Sequence, residues 1–377
     1  MQIKKPPMGW NTWNTFGKNI NEKLIMEVAD AMVEKGYLDA GYEYLIIDDD
    51  WHLGERINGK QVPNPELFPH GMKYISDYIH NKGLKFGMYT CAGVMTCDNL
   101  PGSFGYEYED AKQFAEWGVD YLKYDFCHFP KTANAKMAYA TISMALRNCG
   151  RDILLAACNW GMHEPHLWMR SRGVHTYRST QDISDNTVSF CEIFESQLEK
   201  ISLSGNGFFN DMDMLTVGMH GKGNVALGGC GDNEYRLHFA IWAFMASPLI
   251  IGGDIRNLDE TSEILLKNKN LIALNQDGDA LPPFLLGHDG VDGKLITMAR
   301  FLSGGRFAIG IFNIGDDGWK KGFVSFSDIG IPSNSGIKVE LKDAVTGENM
   351  GVYSEGYQEN LEPMHFRILI GGLLKNE

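Results

Sequence analysis

Lys123 and Asp125 are the residues with the clearest chemical potential in this sequence. They lie two positions apart in the apolar stretch Val119–Cys127, whose residue types are typical of a short buried strand. Residues two apart on a strand point to the same face, so the Lys123 ammonium is predicted to lie beside the Asp125 carboxylate. A neighbouring positive charge favours the ionised carboxylate. Asp125 is therefore a candidate nucleophile, with a purely structural ion pair as the alternative.

Charged and aromatic side chains also stand at the ends of other predicted strands. In chain order they are Trp10, Trp13, Asp48, Asp49, Asp50, Asn159, Trp160, Arg178, Asp182, Asp211 and Asp213. Carboxylates accept hydrogen bonds from hydroxyl groups, and aromatic faces stack on the C–H surface of a pyranose ring. The set therefore predicts a carbohydrate site.

Hydrolysis of a glycosidic bond requires two carboxyl groups, one as nucleophile or base and one as acid. Asp125 suits the role of nucleophile. Asp182 suits the role of acid/base, because it lies on a loop after a strand, where substrate and solvent both have access. Asp185 is the alternative acid/base, but its place near a predicted helix start is equally typical of an N-terminal capping residue.

A metal site is a second interpretation of the acidic residues. Asp48–Asp50 and Asp213 carry oxygen atoms of the kind that Mg²⁺ prefers. Lys123 and Arg178 would lie beside such a cation and repel it. We therefore predict no bound metal and no cofactor, and we keep a metal-dependent barrel enzyme and a non-catalytic sugar-binding barrel as alternatives.

Eight strand–helix units in residues 1–277 would position these side chains, and they predict an α/β fold, the (β/α)₈ TIM barrel. A doubly wound sheet would need a glycine-rich phosphate loop after its first strand, and none is present. Residues 278–377 contain short alternating runs between Gly, Asp and Ser turns, which predict a C-terminal antiparallel β-sandwich domain. The predicted barrel strands are Met8–Trp13, Tyr42–Asp50, Leu84–Thr90, Val119–Cys127, Ile153–Trp160, His175–Thr180, Gly207–Leu215 and Leu249–Asp254.

Charge and composition exclude several kinds of partner. The net charge of −14 would repel nucleic acid and anionic membranes. No apolar stretch approaches the ~20 residues of a membrane span, and no apolar run follows the N-terminal lysines. The seven cysteines are scattered and form no CxxC motif, which is typical of a reducing compartment. We expect a cytoplasmic protein with a small-molecule or oligosaccharide substrate, and a homo-oligomer is left open.

Several longer motifs run in order along the predicted barrel. They are MGWNTW, YLIIDDDW, LFPHGMKYISDYIHNKGLKFGMY, PGSFGYEYEDAKQFAEWGVDYLKYD, RSTQDISD, FFNDMDML, MASPLIIGGDIRNL and IALNQD. Together they resemble glycoside hydrolase family 27, the family of α-galactosidases and α-N-acetylgalactosaminidases. The resemblance implies a (β/α)₈ barrel followed by an antiparallel β domain. It also implies a retaining double displacement with Asp125 as nucleophile and Asp182 as acid/base.

The same resemblance implies a role for each remaining site residue. Asp48 and Asp49 would bind the 4- and 6-hydroxyls of galactose, and Lys123 would bind the 3- and 4-hydroxyls. Arg178 and Asn159 would face the 2-position. The walls would be completed by Trp13, Tyr89, Asp213 and Met214. Cysteines matching Cys97 and Cys127 are disulfide-bonded in many members, whereas a cytoplasmic location favours free thiols.

Asn159 departs from the family pattern. α-Galactosidases of the family usually carry Glu at this position, and the N-acetylgalactosaminidases carry a small residue. Asn can donate and accept, so it can still bind a 2-hydroxyl. We predict hydrolysis of terminal α-D-galactosyl residues from small galactosides, with α-N-acetylgalactosaminidase and β-L-arabinopyranosidase activity as alternatives. The latter enzymes tend to enlarge the residue at Asp48, so the unenlarged Asp48 favours a hexose.

Overall fold

The computed structural model describes residues 3–225, 227–289 and 293–374. Its central feature is a barrel of parallel strands in which the first seven strands pair with their sequence neighbours and the eighth pairs with the first. The barrel closes where Leu215, just after the seventh strand, bridges Ile251 of the eighth. The predicted (β/α)₈ fold is confirmed. The barrel strands are β1 (Met8–Asn11), β2 (Tyr44–Ile46), β3 (Lys85–Cys91), β4 (Tyr121–Asp125), β5 (Leu154–Cys158), β6 (Thr176–Arg178), β7 (Phe209–Asp211) and β8 (Leu249–Ile251).

Most of these strands are shorter than predicted, because their polar ends turn away from the sheet. The clearest case is β2, which ends at Ile46 although the apolar pattern runs further. Asp50 has a φ of 67°, in the left-handed region, where the chain cannot continue as a strand. The residues that follow the strands are therefore loop residues at the mouth of the barrel.

Helices surround the barrel, and several of them begin at a side-chain cap. Asn21, Asn134 and Asn186 each accept a hydrogen bond from a backbone N–H in the first turn of the helix that follows. Every helix within the described residues is too short or too polar to cross a bilayer. The helices are α1 (Trp13–Phe16), α2 (Glu22–Glu34), α3 (Tyr37–Ala40), α4 (Gly71–Asn81), α5 (Glu107–Trp117), α6 (Ala135–Arg147), α7 (Pro165–Trp168), α8 (Thr187–Gln197), α9 (Asp232–Phe244), α10 (Glu260–Leu266) and α11 (Lys269–Asn275).

The C-terminal part contains two antiparallel sheets that face each other across an apolar core. Six strands form one sheet, in the order β14-β13-β16-β11-β10-β9, and β12 pairs with β15 in the other. Ile309 and Leu369 of the large sheet pack with Val324 and Tyr357 of the small one. The predicted antiparallel β domain is confirmed, and its boundary at residues 277 and 278 stays a prediction. The strands are β9 (Phe284–Asp289), β10 (Leu295–Leu302), β11 (Arg306–Asn313), β12 (Lys320–Ser325), β13 (Val339–Asp343), β14 (Asn349–Tyr353), β15 (Gly356–Leu361) and β16 (His365–Leu373).

The β domain packs against outer helices of the barrel. The ring of Phe312 in β11 lies 5.4 Å from the ring of Phe194 in α8 and 5.6 Å from the ring of Phe244 in α9. Lys294 Nζ lies 2.8 Å from Glu195 Oε1 on the same side. These contacts lie on the outer side of the barrel and not at its mouth. The mouth is built from the loops that follow the barrel strands.

Candidate active site

A cavity of about 360 Å³ lies at the carboxyl ends of the barrel strands, and its size suits a small ligand. Ten of the eleven site residues predicted from the sequence line it, and Asn159 does not. The ten are Trp13, Asp48, Asp49, Tyr89, Lys123, Asp125, Arg178, Asp182, Asp213 and Met214. Side chains from six different strand ends thus meet in one place, as the position of active sites in barrels leads us to expect.

Lys123 is held mainly by Asp48. Its Nζ donates a hydrogen bond to Asp48 Oδ2 at 2.8 Å, and Asn11 Nδ2 donates to the same oxygen at 2.7 Å. Burial opposes the charge on Lys123, but Asp48 and Asp125 outweigh it and raise the pKa of Lys123 well above its usual value. Lys123 therefore stays a cation and fixes the Asp48 carboxylate at the base of the cavity.

Asp125 is almost completely buried, with 5% of its surface exposed. Its Oδ1 accepts a hydrogen bond from the backbone N–H of Phe126 at 2.8 Å. Burial raises the pKa of Asp125, and Lys123 and the Phe126 amide lower it by less than burial raises it. Lys123 therefore favours the ionised form of Asp125, as the sequence predicts, but burial has the larger effect on the pKa.

Asp182 lies in the opposite environment, with 72% of its side chain exposed. Arg178 Nη2 is 2.6 Å from Asp182 Oδ1 and 2.7 Å from Asp213 Oδ2, so one buried guanidinium joins the two carboxylates. Burial raises the pKa of Asp213 to about 6, against the opposing effect of Arg178. Asp182 is thus held by Arg178 through Oδ1, while most of its side chain is open to solvent.

Asp49 is held by backbone amides on both oxygens. The N–H of Asp50 donates to Oδ1 at 2.9 Å, and the N–H of Asp98 donates to Oδ2 at 3.3 Å. Burial raises the pKa of Asp49 to about 6, although these amides favour its ionised form. The side chain is therefore an oriented acceptor in the cavity wall.

Asn159 lies beside the cavity but does not line it. It is completely buried, its amide donates to the Met162 carbonyl oxygen, and its Oδ1 has no hydrogen-bond partner among the residues that the structure describes. The next residue, Trp160, lines the cavity and packs with Tyr89 and Cys127. A contact between Asn159 and a sugar hydroxyl stays a prediction.

Two other acids near the site have structural partners. Asp211 Oδ1 accepts the backbone N–H of Asp213 at 2.9 Å. Asp185 is fully buried and accepts hydrogen bonds from the Gly221 N–H at 2.7 Å and the Tyr235 hydroxyl at 2.9 Å. The helix α8 is capped by Asn186, so the capping role expected for Asp185 was wrong. Its burial also makes Asp185 unsuited to proton exchange with substrate.

Several wall residues come from loops that sequence patterns did not reveal. Asn224 is an example, because its backbone N–H donates to the Asn14 carbonyl oxygen and brings the loop after β7 to the first helix. A disulfide joins Cys97 to Cys127, as the family resemblance implied, so the expectation of free thiols at these two positions is wrong for this structure. No periodicity or charge pattern marks such long-range contacts. The wall residues outside the predicted set are Asn14, Cys97, Trp160, Ile183, Ser184, Asn224, Val225 and Leu227.

Comparison with known proteins gives strong matches over most of the chain. The family model described as alpha galactosidase A matches residues 5–277. Alpha-galactosidase A of Cellvibrio japonicus (strain Ueda107) is 42% identical over 329 residues, which cover 83% of this chain and 77% of that protein. The crystal structure of α-galactosidase I from Mortierella vinacea has a TM-score of 0.90 and 32% identity, covering 97% of this chain and 96% of that one. The α-galactosidase of Saccharomyces cerevisiae with raffinose has a TM-score of 0.88 and 25% identity, covering 98% of both chains.

Proposed function

Because the chain belongs to the α-galactosidase A family, glycoside hydrolase family 27, and is therefore a glycoside hydrolase, we propose that it removes terminal α-D-galactosyl residues from small galactosides. Two observations support this substrate class. The Cellvibrio relative is an α-galactosidase, and the structurally similar Saccharomyces enzyme was solved with raffinose. The observation that carries the proposal is the convergence of Asp125, Asp182 and the Asp48–Lys123 pair on one cavity.

The proposed mechanism is a retaining double displacement. Asp125 attacks the anomeric carbon while Asp182 gives its proton to the glycosidic oxygen, so that the C–O bond breaks and the aglycone leaves as an alcohol. Asp182, now a carboxylate, takes a proton from water as the water oxygen attacks the same carbon. This step breaks the bond to Asp125 and releases the sugar with its original configuration. The burial of Asp125 and the exposure of Asp182 suit these two roles.

We assign the remaining wall residues to recognition of the sugar. The oriented carboxylates of Asp48 and Asp49 would accept hydrogen bonds from the 4- and 6-hydroxyls, and Lys123 would donate to the 3- and 4-hydroxyls. Arg178 would donate toward the 2-position. Trp13 offers an aromatic face, and Tyr89, Asp213 and Met214 complete the wall.

A panel of p-nitrophenyl glycosides tests the proposal. We expect turnover of the α-galactoside above the α-N-acetylgalactosaminide and the β-L-arabinopyranoside, and we expect full activity in a chelator. Activity that the chelator abolishes would favour the metal-dependent alternative, and binding of galactose without turnover of any glycoside would favour the non-catalytic one. Preference for either of the other two glycosides would show that the substrate assignment is wrong.

The compartment is a separate proposal, and we place the enzyme in the cytoplasm. Five of the seven cysteines are unpaired, which is typical of reducing compartments. The Cys97–Cys127 disulfide is instead typical of oxidising ones, so it provides the test. The native cells should be lysed in denaturant that contains excess alkylating agent, because four of the free cysteines are buried in the fold. The alkylated cysteines are then counted by mass spectrometry. Seven alkylated cysteines would support the proposal, and five would contradict it.

A further inference from the structure

The orientation of Asp49 depends on two loops that approach each other at the mouth of the barrel. Its Oδ1 is bound by the amide of Asp50, which follows β2, and its Oδ2 is bound by the amide of Asp98, which lies between β3 and α5. The second hydrogen bond is the longer of the two, at 3.3 Å against 2.9 Å. The Thr96 side chain, on the same loop as Asp98, is a third hydrogen-bond partner of Asp49. A small separation of the two loops would therefore weaken the hydrogen bonds that this loop makes to Asp49.

The carboxyl groups of Asp50 and Asp98 lie within reach of a hydrogen bond to each other. Two carboxyl groups can form such a bond only when one of them carries a proton. Asp50 Oδ2 and Asp98 Oδ2 are both buried, and neither has a donor in any other group of the described part of the chain. One proton between the two side chains would give both oxygens a partner.

The charges around the pair decide where the proton lies. Lys18 Nζ is 2.8 Å from Asp98 Oδ1, and Asp49, itself next to Asp48, faces Asp50. Burial, the hydrogen bond to Asp98 and the charge of Asp49 together raise the pKa of Asp50 to about 8, against the smaller effect of Lys18. The hydrogen bond from Asp50 and the charge of Lys18 lower the pKa of Asp98, although burial opposes them. Asp50 is thus the donor and Asp98 the ionised acceptor.

We propose that Asp50 and Asp98 share one proton and that this link makes them positioning residues for Asp49, which on the proposed function binds a galactose hydroxyl. Below the pKa of Asp50 the link holds the loops together. Above it two adjacent carboxylates repel each other, and Lys18, with 67% of its side chain exposed, screens them only in part. The loops then separate, and Asp49 loses the N–H of Asp98.

The Asp50→Asn variant separates this proposal from a simple structural role. The Asn amide donates to Asp98 at every pH, so it replaces the shared proton without titrating. Asn also tolerates the left-handed backbone of position 50, where φ is 67°. Asp77→Asn is the matched control, because Asp77 is an exposed acid on α4 that pairs with Lys73.

Hydrogen exchange of the segment 95–101 measures the link without any substrate. Relative to Asp50→Asn, the wild type should exchange at an equal rate near about pH 6. It should exchange about tenfold faster near pH 9.5, the factor expected for loss of one buried hydrogen bond. The Asp77→Asn control should follow the wild type. The proposal would be overturned if the exchange rates of the wild type and Asp50→Asn kept the same ratio at every pH between these two values.

The KM for p-nitrophenyl α-galactoside gives the functional readout. The ratio of the wild-type KM to the Asp50→Asn KM should rise about tenfold over the same pH range. The ratio is used because Asp49 itself, with a pKa of about 6, titrates in both enzymes. An enzyme that does not act on α-galactosides but shows the exchange difference would contradict the proposed function and leave the proton link standing. If Asp50→Asn does not fold, Asp98→Asn replaces it, because its amide can donate to Asp50 in the same way. In either case the protection of segment 95–101 against hydrogen exchange in the wild type must fall above about pH 8.

Discussion

The two carboxyl groups that we assign to catalysis differ most in their access to solvent. Asp125 is 5% exposed, whereas the side chain of Asp182 is 72% exposed. Burial keeps water away from the nucleophile Asp125. Exposure lets the acid/base Asp182 exchange protons with water. Alternation along β4 placed Asp125 beside Lys123 from the sequence alone. The burial that outweighs Lys123 depends on the surrounding loops, and no local pattern predicts it.

Replacement of Asp182 should affect substrates according to their leaving groups. Asp182→Ala should reduce kcat/KM for natural galactosides by about 10²–10⁴, because their alkoxide leaving groups need a proton. Aryl galactosides with acidic phenols should lose far less. A plot of rate against leaving-group pKa for the wild type and the variant checks this. An equal loss for both substrate types would mean that Asp182 only positions other groups.

Replacement of Asn159 tests selection at the 2-position. Its Oδ1 is buried without a partner in the described residues, and an unpaired buried polar group costs about 1–3 kcal/mol. A 2-hydroxyl that reaches this atom would satisfy it, so we expect the wild type to prefer the α-galactoside over the α-N-acetylgalactosaminide by about tenfold to a hundredfold. Asn159→Ala should reduce that preference, and Asn159→Glu should preserve it. Values of kcat/KM for the two p-nitrophenyl sugars measure the effect, and a wild type that prefers the N-acetyl sugar would contradict it.

At the scale of elements, the sequence pattern predicted the helix α9 but not its first residue or the burial of the histidine within it. The apolar pattern between the seventh and eighth predicted strands predicts a helix over residues 234–246, and the observed helix is Asp232–Phe244. The difference arises because Glu234 accepts a hydrogen bond from the Gly231 N–H at 3.0 Å and so extends the helix backward. The helix is buried on nearly all sides, and a buried His238 lies among its apolar residues. Such a histidine has no signature in hydrophobic periodicity.

His238 should make stability depend on pH. Burial lowers its pKa to about 3, against about 6.5 in the unfolded chain, so the unfolded state binds the proton first as pH falls. Between pH 6.5 and pH 5 this difference should cost about 2 kcal/mol of stability. His238→Asn should remove this loss of stability at low pH. His70→Asn is the control, because His70 is an exposed histidine paired with Glu22, and it should leave the loss unchanged. Denaturant unfolding at the two pH values measures this, and equal losses in wild type and His238→Asn would contradict it.

At the scale of the whole molecule, alternation of strands and helices was sufficient to predict the barrel and the β domain that follows it. The pattern could not predict β9, β14 and β15, because Gly and polar residues interrupt their short apolar signal. It also could not predict which loops meet at the mouth. The contact of Asn224 with Asn14 joins residues 210 positions apart, and only the closed barrel brings them together.

The central claim is that Asp125 forms a covalent bond to the anomeric carbon of an α-galactoside. A 2-fluorinated α-galactosyl substrate with a good leaving group should form this bond faster than it is hydrolysed. Fluorine at C2 destabilises the oxocarbenium-like transition states of both steps, and the good leaving group restores the rate of the first step only. Digestion and mass spectrometry then locate the label. We predict one sugar per chain, attached to Asp125, with no label in Asp125→Ala. A label on Asp182, or turnover of the compound without any covalent adduct, would contradict the account.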